Sequence, residues 1–98
     1  MSGRSLFLVA YDVRDSKRLR RVHKKLNGYG DPIQFSIFQC ELTLREKLLL
    51  LGEISEIIHH KEDRVLIVNM GHRKGRADRI MEILGSQKIP PRGGPVII

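Results

Sequence analysis

The sequence predicts an α+β fold, a ferredoxin-like βαββαβ sandwich in which two helices cover one face of an antiparallel sheet. Three observations support this prediction: two apolar strand segments, two helices with recognisable caps, and a central strand segment whose alternation changes phase. Their order along the chain is strand, helix, one or two strands, helix, strand. That order is the ferredoxin-like arrangement.

The first strand and helix are predicted from the run at 6–11 and the basic segment behind it. Six apolar residues predict a strand that is apolar on both faces and therefore central in the sheet. Asp15 or Ser16 is placed to cap the helix that follows, and Gly28 is a natural stop for it. Three apolar residues repeat at helical spacing and are predicted to face the core: Leu19, Val22 and Leu26.

The segment 33–42 shifts its apolar alternation by one residue between Ser36 and Phe38. Such a shift requires a bulge, a bend or a change of partner, so the segment is either one bulged strand or two short strands. Thr43 and Glu46 then match a capping box that opens the second helix. Its predicted core stripe is Leu44, Leu48, Leu51, Ile54 and Ile58. Three further apolar residues widen this stripe, so part of it is available to a second subunit: Leu49, Leu50 and Ile57.

The second helix is predicted to end near 59–61, and residues 64–70 to form the second buried strand. A basic loop is expected from Gly71 onward, and 80–85 is compatible with a strand or a helix. These elements predict one ferredoxin-like domain over 1–85. Residues 86–98 are predicted to be a linker and a short strand, Val96 to Ile98, that needs a partner.

Composition favours a polyanionic partner. The 98 residues suit one domain, and 18 Lys plus Arg against 11 Asp plus Glu give a net charge of +7. Cys40 is the single cysteine, which is consistent with a reducing compartment. No apolar run approaches ~18 residues and the N-terminus lacks a signal-peptide pattern, so we expect a cytoplasmic protein without a membrane partner.

Asp12 is the candidate catalytic residue and metal ligand. It directly follows the predicted central strand and precedes a strongly basic helix, so a carboxylate and several cations lie together at one edge of the sheet. Mg²⁺ (or Mn²⁺) prefers such hard oxygen ligands and often uses only one or two carboxylates. The alternative is an aspartate that only favours the turn or the helix N-terminus.

Arg18 and Arg20 are candidate nucleic-acid contacts, because a guanidinium binds phosphate through two parallel hydrogen bonds. A solvated helix face is the alternative. Tyr11 alternates with Asp12 and is expected on the opposite sheet face, where its ring either stacks on a base or packs in the core. The four histidines lack metal-ligand spacing, and Cys40 is expected to be a buried hydrophobe rather than a nucleophile.

The ordered set of these segments resembles the CRISPR-associated protein two family, small ferredoxin-fold proteins often described as metal-dependent endoribonucleases. The resemblance rests on residues 11–13, Asp15, Arg18, the segment 34–38 and residues 82–85, followed by a proline-rich step to a β-forming end. It covers nearly the whole chain. Each motif is weak alone, and the ordered set is specific.

The resemblance implies a homodimer whose two sheets face each other and whose C-terminal strands add to the partner's sheet. It also implies that two copies of Asp12 hold one Mg²⁺ or Mn²⁺ across the dimer axis. Ser36 and Phe38 match a family segment near the dimer cleft and are therefore candidate nucleic-acid contacts, with a core position as the alternative for Phe38. The family further implies a CRISPR integrase as partner during spacer acquisition.

Two functions follow from this resemblance. The first is a metal-dependent endonuclease acting on RNA or DNA. The second is a non-catalytic dimer that holds duplex DNA for the integrase. A ferredoxin-fold RNA-binding module is disfavoured, because such modules display aromatic residues on an open sheet and this chain has three Phe and two Tyr.

Overall fold

The computed structural model describes residues 3–72 and 84–85. Its elements are β1 (Ser5–Asp12), α1 (Ser16–Asn27), β2 (Asp31–Gln34), β3 (Ile37–Leu42), α2 (Leu44–Ile57) and β4 (Arg64–His72). The strands form one sheet in the order β2-β3-β1-β4, and every neighbouring pair is antiparallel. This confirms the predicted ferredoxin-like α+β fold.

Strand β1 is central because both of its neighbours pair along most of its length. Val9 lies opposite Phe38 of β3 and Ile67 of β4. Alternate β1 side chains face the helices, and Val9 is completely buried. The core cluster is Phe7, Val9, Tyr11, Val22, Leu26, Phe38, Cys40, Leu42, Leu50, Ile54 and Ile57. Cys40 is therefore a core residue, and burial raises the pKa of its thiol to about 12.

The phase shift in the middle of the chain is the boundary between two strands. A turn at Phe35 and Ser36 joins β2 to β3, so the interpretation as two short strands is confirmed. The turn lies beside the end of β1, where the Tyr11 amide donates to the carbonyl oxygen of Ser36 at 3.0 Å. The two short strands therefore close against the part of β1 that carries the candidate site.

Helix α1 begins and ends where its caps predict. The Asp15 side chain accepts a hydrogen bond from the Arg18 amide at 3.0 Å, and Gly28 is the C-cap. That accepted hydrogen bond lowers the pKa of the Asp15 carboxyl. Val22 and Leu26 are completely buried, and Leu19 packs against the core. The stripe predicted for this helix is confirmed.

Helix α2 begins at the predicted capping box. The Thr43 hydroxyl accepts from the Glu46 amide, and the Glu46 carboxylate accepts from the Thr43 amide. Arg4 adds a charged hydrogen bond to Glu46 at 2.7 Å, which ties the chain before β1 to this helix. The Thr43 amide and Arg4 both lower the pKa of the Glu46 carboxyl.

The predicted core stripe of α2 is wrong in part. Leu44 and Leu48 are 64% and 58% exposed, whereas Leu50, Ile54 and Ile57 are buried. Ile54 belongs to both the predicted stripe and the buried one. At about 100° per residue, the centres of the two stripes lie roughly 90° apart. Both faces of the helix carry leucines, so periodicity could not select between them. Contact with α1 and the sheet makes the selection.

The end of α2 also differs from the prediction. The helix ends at Ile57, and Ile58 is an extended C-cap. The predicted end at residues 59–61 followed from their positive charge, but the backbone amide of His59 bonds the side chain of Asp63 instead. The loop is thus fixed by a hydrogen bond that helix periodicity does not indicate.

The face of the sheet opposite the helices is apolar and uncovered by any element among residues 3–72. Register places Leu8 beside Val68 and Ala10 beside Leu66 on this face. Leu66 is 58% exposed and Val68 is 39% exposed. We call this surface the open face, defined by Leu8, Ala10, Ile37, Leu66 and Val68.

Strand β4 extends beyond its predicted end. Gly71 and His72 belong to the strand, so the prediction that a basic loop starts at Gly71 is wrong at that boundary. The predictions for 80–83 and 86–98, including the C-terminal strand, lie outside the described residues. Within the described ranges, no helix is long and apolar enough to cross a membrane.

Substitution of Gly30 by alanine should destabilise the fold by about 1–3 kcal/mol, because overpacking forces backbone shifts. A Cβ at Gly30 would lie 2.6 Å from Cys40 Sγ and 2.9 Å from Cys40 Cα. Gly52 is the control, because a Cβ there meets nothing within 4 Å in helix α2. Gly52→Ala should stabilise by about 0.5–1 kcal/mol. Urea unfolding followed by circular dichroism tests both; equal effects of the two substitutions would contradict the packing at Gly30.

Candidate metal and nucleic-acid site

Asp12 is the last residue of β1, and its side chain points out of the open face. Strand alternation buries Tyr11 among the helices and leaves the Asp12 side chain 68% exposed. Arg64 is its cross-strand neighbour on β4. Asp12 thus lies at the end of the central strand, as the sequence predicts.

The Asp12 carboxylate is accessible to a ligand. Within residues 3–72 it forms an ion pair with Arg14, at a loose 3.8 Å. In the described ranges, no group of three or more His, Cys, Asp or Glu side chains is placed to hold a metal ion. Asp12 is thus one hard oxygen ligand at this end of β1. That fits Mg²⁺ only if water and another source, such as a second carboxylate, complete its coordination.

Tyr11 is a core residue. Its hydroxyl donates to the carbonyl oxygen of Phe35 at 2.9 Å and lies 3.0 Å from His23 Nδ1. Burial raises the pKa of the Tyr11 phenol to about 12. The predicted orientation opposite Asp12 is correct, and of the two open interpretations the structure favours core packing over base stacking.

Phe38 and Ser36 are also placed differently from simple nucleic-acid contacts. Phe38 is completely buried, and its ring meets His23 edge-on with 5.2 Å between centroids. A base has no access to that ring, so the predicted Phe38 contact is not supported. Ser36 is half-buried in the β2–β3 turn, beside the end of β1. Ser36 is therefore close to the end of β1 that carries Asp12.

Arg18 binds carboxylates of its own chain. Its Nε donates to Asp63 Oδ2 at 2.7 Å, and its Nη2 donates to Asp63 Oδ1 at 3.1 Å and to Glu62 Oε1 at 3.2 Å. The side chain is 22% exposed. These ion pairs raise the pKa of the Arg18 guanidinium. Phosphate binding by Arg18 would compete with this pairing, which sequence spacing did not reveal.

Arg20 is exposed on α1, in agreement with its predicted role. It belongs to a basic surface on the same helix. We call this the α1 basic face; its exposed members are Lys17, Arg20, Arg21 and Lys24. The surface can bind phosphates through several cations without a specific base contact.

Two buried polar residues near the site, His23 and Asp63, were not identified from the sequence. His23 follows Val22 in the helical pattern of Leu19 and Leu26, so its spacing did contain a signal that it would be buried. Asp63 has a completely buried side chain in the α2–β4 loop. No periodicity or motif marks Asp63, because its partners come from distant segments.

The fold and the site define a ferredoxin-like α+β protein with an exposed carboxylate beside a basic helix. The family model described as "CRISPR associated protein Cas2" matches residues 5–77. The chain belongs to this family, which confirms the resemblance found in the sequence.

Relatives and solved structures agree with this membership. The CRISPR-associated endoribonuclease Cas2 of Geobacter sulfurreducens is 36% identical over 78 residues, covering 80% of this chain and 82% of the relative. Streptococcus pyogenes Cas2, solved at pH 6.5, matches with a TM-score of 0.73 and 33% identity over 82% of this chain and 99% of that one. Hypothetical protein TT1823 from Thermus thermophilus matches with a TM-score of 0.76, 27% identity and coverage of 91% and 100%.

Removal of the Asp63 charge should destabilise the protein by about 3 kcal/mol at neutral pH, because buried donors lose their acceptor. Hydrogen bonds from Arg18 and two backbone amides hold the pKa of Asp63 well below its ordinary value of 3.8. The lowered pKa means that the stabilisation is complete above pH 3.8 and declines as the pH falls toward the folded-state value. The difference between wild type and Asp63→Asn should therefore shrink below that pH.

Urea unfolding at pH 7, 4 and 3 measures this effect. Asp12→Asn is the control, since the Asp12 side chain is 68% exposed and its ion pair with Arg14 is loose. A pH-independent difference between wild type and Asp63→Asn would contradict the charged state of Asp63.

Proposed function

We propose that this protein is a homodimeric, CRISPR-associated, Mg²⁺-dependent endoribonuclease in which Asp12 of each chain contributes one metal ligand. The observation that carries the proposal is the exposed Asp12 carboxylate at the end of the central strand, beside a sheet face that no element among residues 3–72 covers. Similarity to proteins named CRISPR-associated endoribonuclease Cas2 supports RNA as the substrate. We infer a cytoplasmic location, where a single cysteine stays reduced.

A homodimer would solve two problems of the isolated chain. Two copies packed through the open face would remove Leu66 and Val68 from water, which is favourable for exposed apolar surface. A two-fold axis near the end of β1 would also bring a second Asp12 to the metal. The count of two carboxylates then suits Mg²⁺.

The residues around Asp12 have distinct tasks in this proposal. When bound, the metal ion supplies charge neutralisation at the phosphate and lowers the pKa of a coordinated water. Asp12 orients the metal, and Arg14 and Arg64 provide positive charge next to it. The α1 basic face, which includes Arg20, would bind the flanking phosphates.

A second candidate is a non-catalytic dimer that holds duplex DNA for a CRISPR integrase. It is favoured by the α1 basic face, whose cations are exposed along one side of the helix. The α1 basic face would bind DNA phosphates equally well without any cleavage. The two candidates use the same residues and assign a different role to Asp12.

Asp12→Asn should abolish metal-dependent cleavage of labelled single-stranded RNA while leaving RNA affinity within about twofold, because it removes a metal ligand and keeps the basic face. Cleavage is measured over a Mg²⁺ and a Mn²⁺ series, with duplex DNA as a second substrate. Glu41→Gln is the matched control, since Glu41 is an exposed carboxylate opposite Leu6 at the far end of β1.

Each outcome of this experiment selects one candidate. Cleavage that is lost in Asp12→Asn and retained in Glu41→Gln supports the nuclease. Cleavage of duplex DNA in preference to RNA would contradict the substrate proposed. A wild type that cuts neither substrate but binds DNA would leave the scaffold for the integrase.

Arg20→Gln should weaken nucleic-acid binding and reduce the slope of log affinity against log salt by about 1, because one phosphate contact is lost. Fluorescence anisotropy with RNA and duplex DNA between low and physiological salt measures the slope. Arg45→Gln on α2 is the control, as it removes an exposed cation outside the α1 basic face. Equal slopes for the two variants would argue against the α1 basic face as the binding surface.

A further inference from the structure

The buried Asp63 carboxylate joins three separate segments of the chain. Its Oδ1 accepts from the Arg14 amide at 2.9 Å, and its Oδ2 accepts from the His59 amide at 2.8 Å. Both oxygens also accept from the Arg18 guanidinium. The turn after β1, the first turns of α1 and the α2–β4 loop therefore meet at one side chain.

These three segments surround the end of β1. Asp12 lies two residues before Arg14, whose amide Asp63 binds, and opposite Arg64, the residue that follows Asp63. The chain on both sides of the Asp12 carboxylate is thus fixed by the same buried group. Within the described part of the chain, the Asp12 side chain itself is held by a loose ion pair with Arg14.

We propose that Asp63 is a positioning residue for the Asp12 site, which fixes the backbone on which the Asp12 carboxylate meets the metal and the RNA phosphate. This inference rests on the proposed function, because it assigns a task to Asp63 within that site. Asp63 does not touch the substrate; it acts through the turn at Arg14 and the start of β4.

The task requires a carboxylate. Asp63 receives four hydrogen bonds and donates none through its side chain, so an acceptor-only group matches all of its neighbours. An amide would direct an N–H toward at least one of these donors. Hydrogen bonding to the charged form keeps the pKa of Asp63 low, in agreement with a group that is ionised at neutral pH.

A purely structural role would give a different pattern of effects. A residue that only stabilises the fold lowers the folded fraction and leaves the turnover of folded molecules unchanged. A positioning residue lowers kcat and metal affinity in molecules that remain folded, because small displacements of a reacting group reduce the rate strongly. The comparison therefore needs a control of equal stability that lies away from the site.

The experiment compares wild type, Asp63→Asn, Asp63→Glu and a substitution of the buried Ile54 on α2, Val or Ala, chosen to match the urea midpoint of Asp63→Asn. All are confirmed folded at 25 °C by circular dichroism. Should Asp63→Asn not fold, the series is made with Gly52→Ala, the stabilising substitution in α2. The readouts are kcat and KM for RNA, and the dissociation constant of Mn²⁺ by electron paramagnetic resonance.

We expect Asp63→Asn to lower kcat and to weaken Mn²⁺ binding at least about tenfold, with KM for RNA within about twofold. Asp63→Glu should recover part of both losses, because it restores the charge. The Ile54 variant should match wild type in both. Equal losses in the Ile54 variant, or wild-type values in folded Asp63→Asn, would overturn the positioning role.

The Mn²⁺ measurement separates this inference from the proposed nuclease. If wild type binds Mn²⁺ through Asp12 but cleaves nothing, the nuclease fails, and the positioning role is decided by Mn²⁺ affinity alone. If wild type cleaves and folded Asp63→Asn cleaves equally well, only the positioning role fails. If wild type neither binds Mn²⁺ nor cleaves, there is no site to position and both proposals fail.

Discussion

The alternation of β1 is the constraint on which the rest of the structure depends. As the central strand it must bury one set of side chains against the helices, so Val9 and Tyr11 point inward. The same period of two then directs Asp12 out of the opposite face. A shift of one residue would bury the carboxylate and expose the phenol, and it would remove the core and the candidate site together.

Two polar groups that are buried near the end of β1 have hydrogen-bond partners. The Tyr11 hydroxyl is satisfied by the carbonyl oxygen of Phe35, and the Asp63 carboxylate by Arg18 and two backbone amides. Without these hydrogen bonds, each buried polar group would lower the stability of the fold by several kcal/mol, on the order of the cost of moving such a group from water to an apolar environment. The hydrogen bonds therefore hold the β2–β3 turn and the start of α1 against the end of β1.

The basic character of the chain has two separate uses in this arrangement. Arg18 neutralises a buried carboxylate and is mostly covered, whereas Arg20 lies in the exposed α1 basic face. A guanidinium that is paired inside the protein contributes little to the attraction of nucleic acid, since its charge is already compensated. The net charge of +7 therefore does not by itself measure the attraction to nucleic acid. The exposed cations are the ones that can contact a polyanion.

Local signals in the sequence determined the caps, the order of the elements along the chain and the opposite directions of Tyr11 and Asp12, because capping and alternation depend on neighbouring residues alone. The phase shift near Ser36 left two interpretations, one bulged strand or two short strands. The pairing of β3 with β1 and β2 selects the second. Tertiary structure decided which leucine face of α2 is buried, since both faces satisfy the helical period. It also decided the burial of Phe38 and the role of Asp63. Asp63 is 49 residues from Arg14 and 45 from Arg18, a separation at which no sequence period operates.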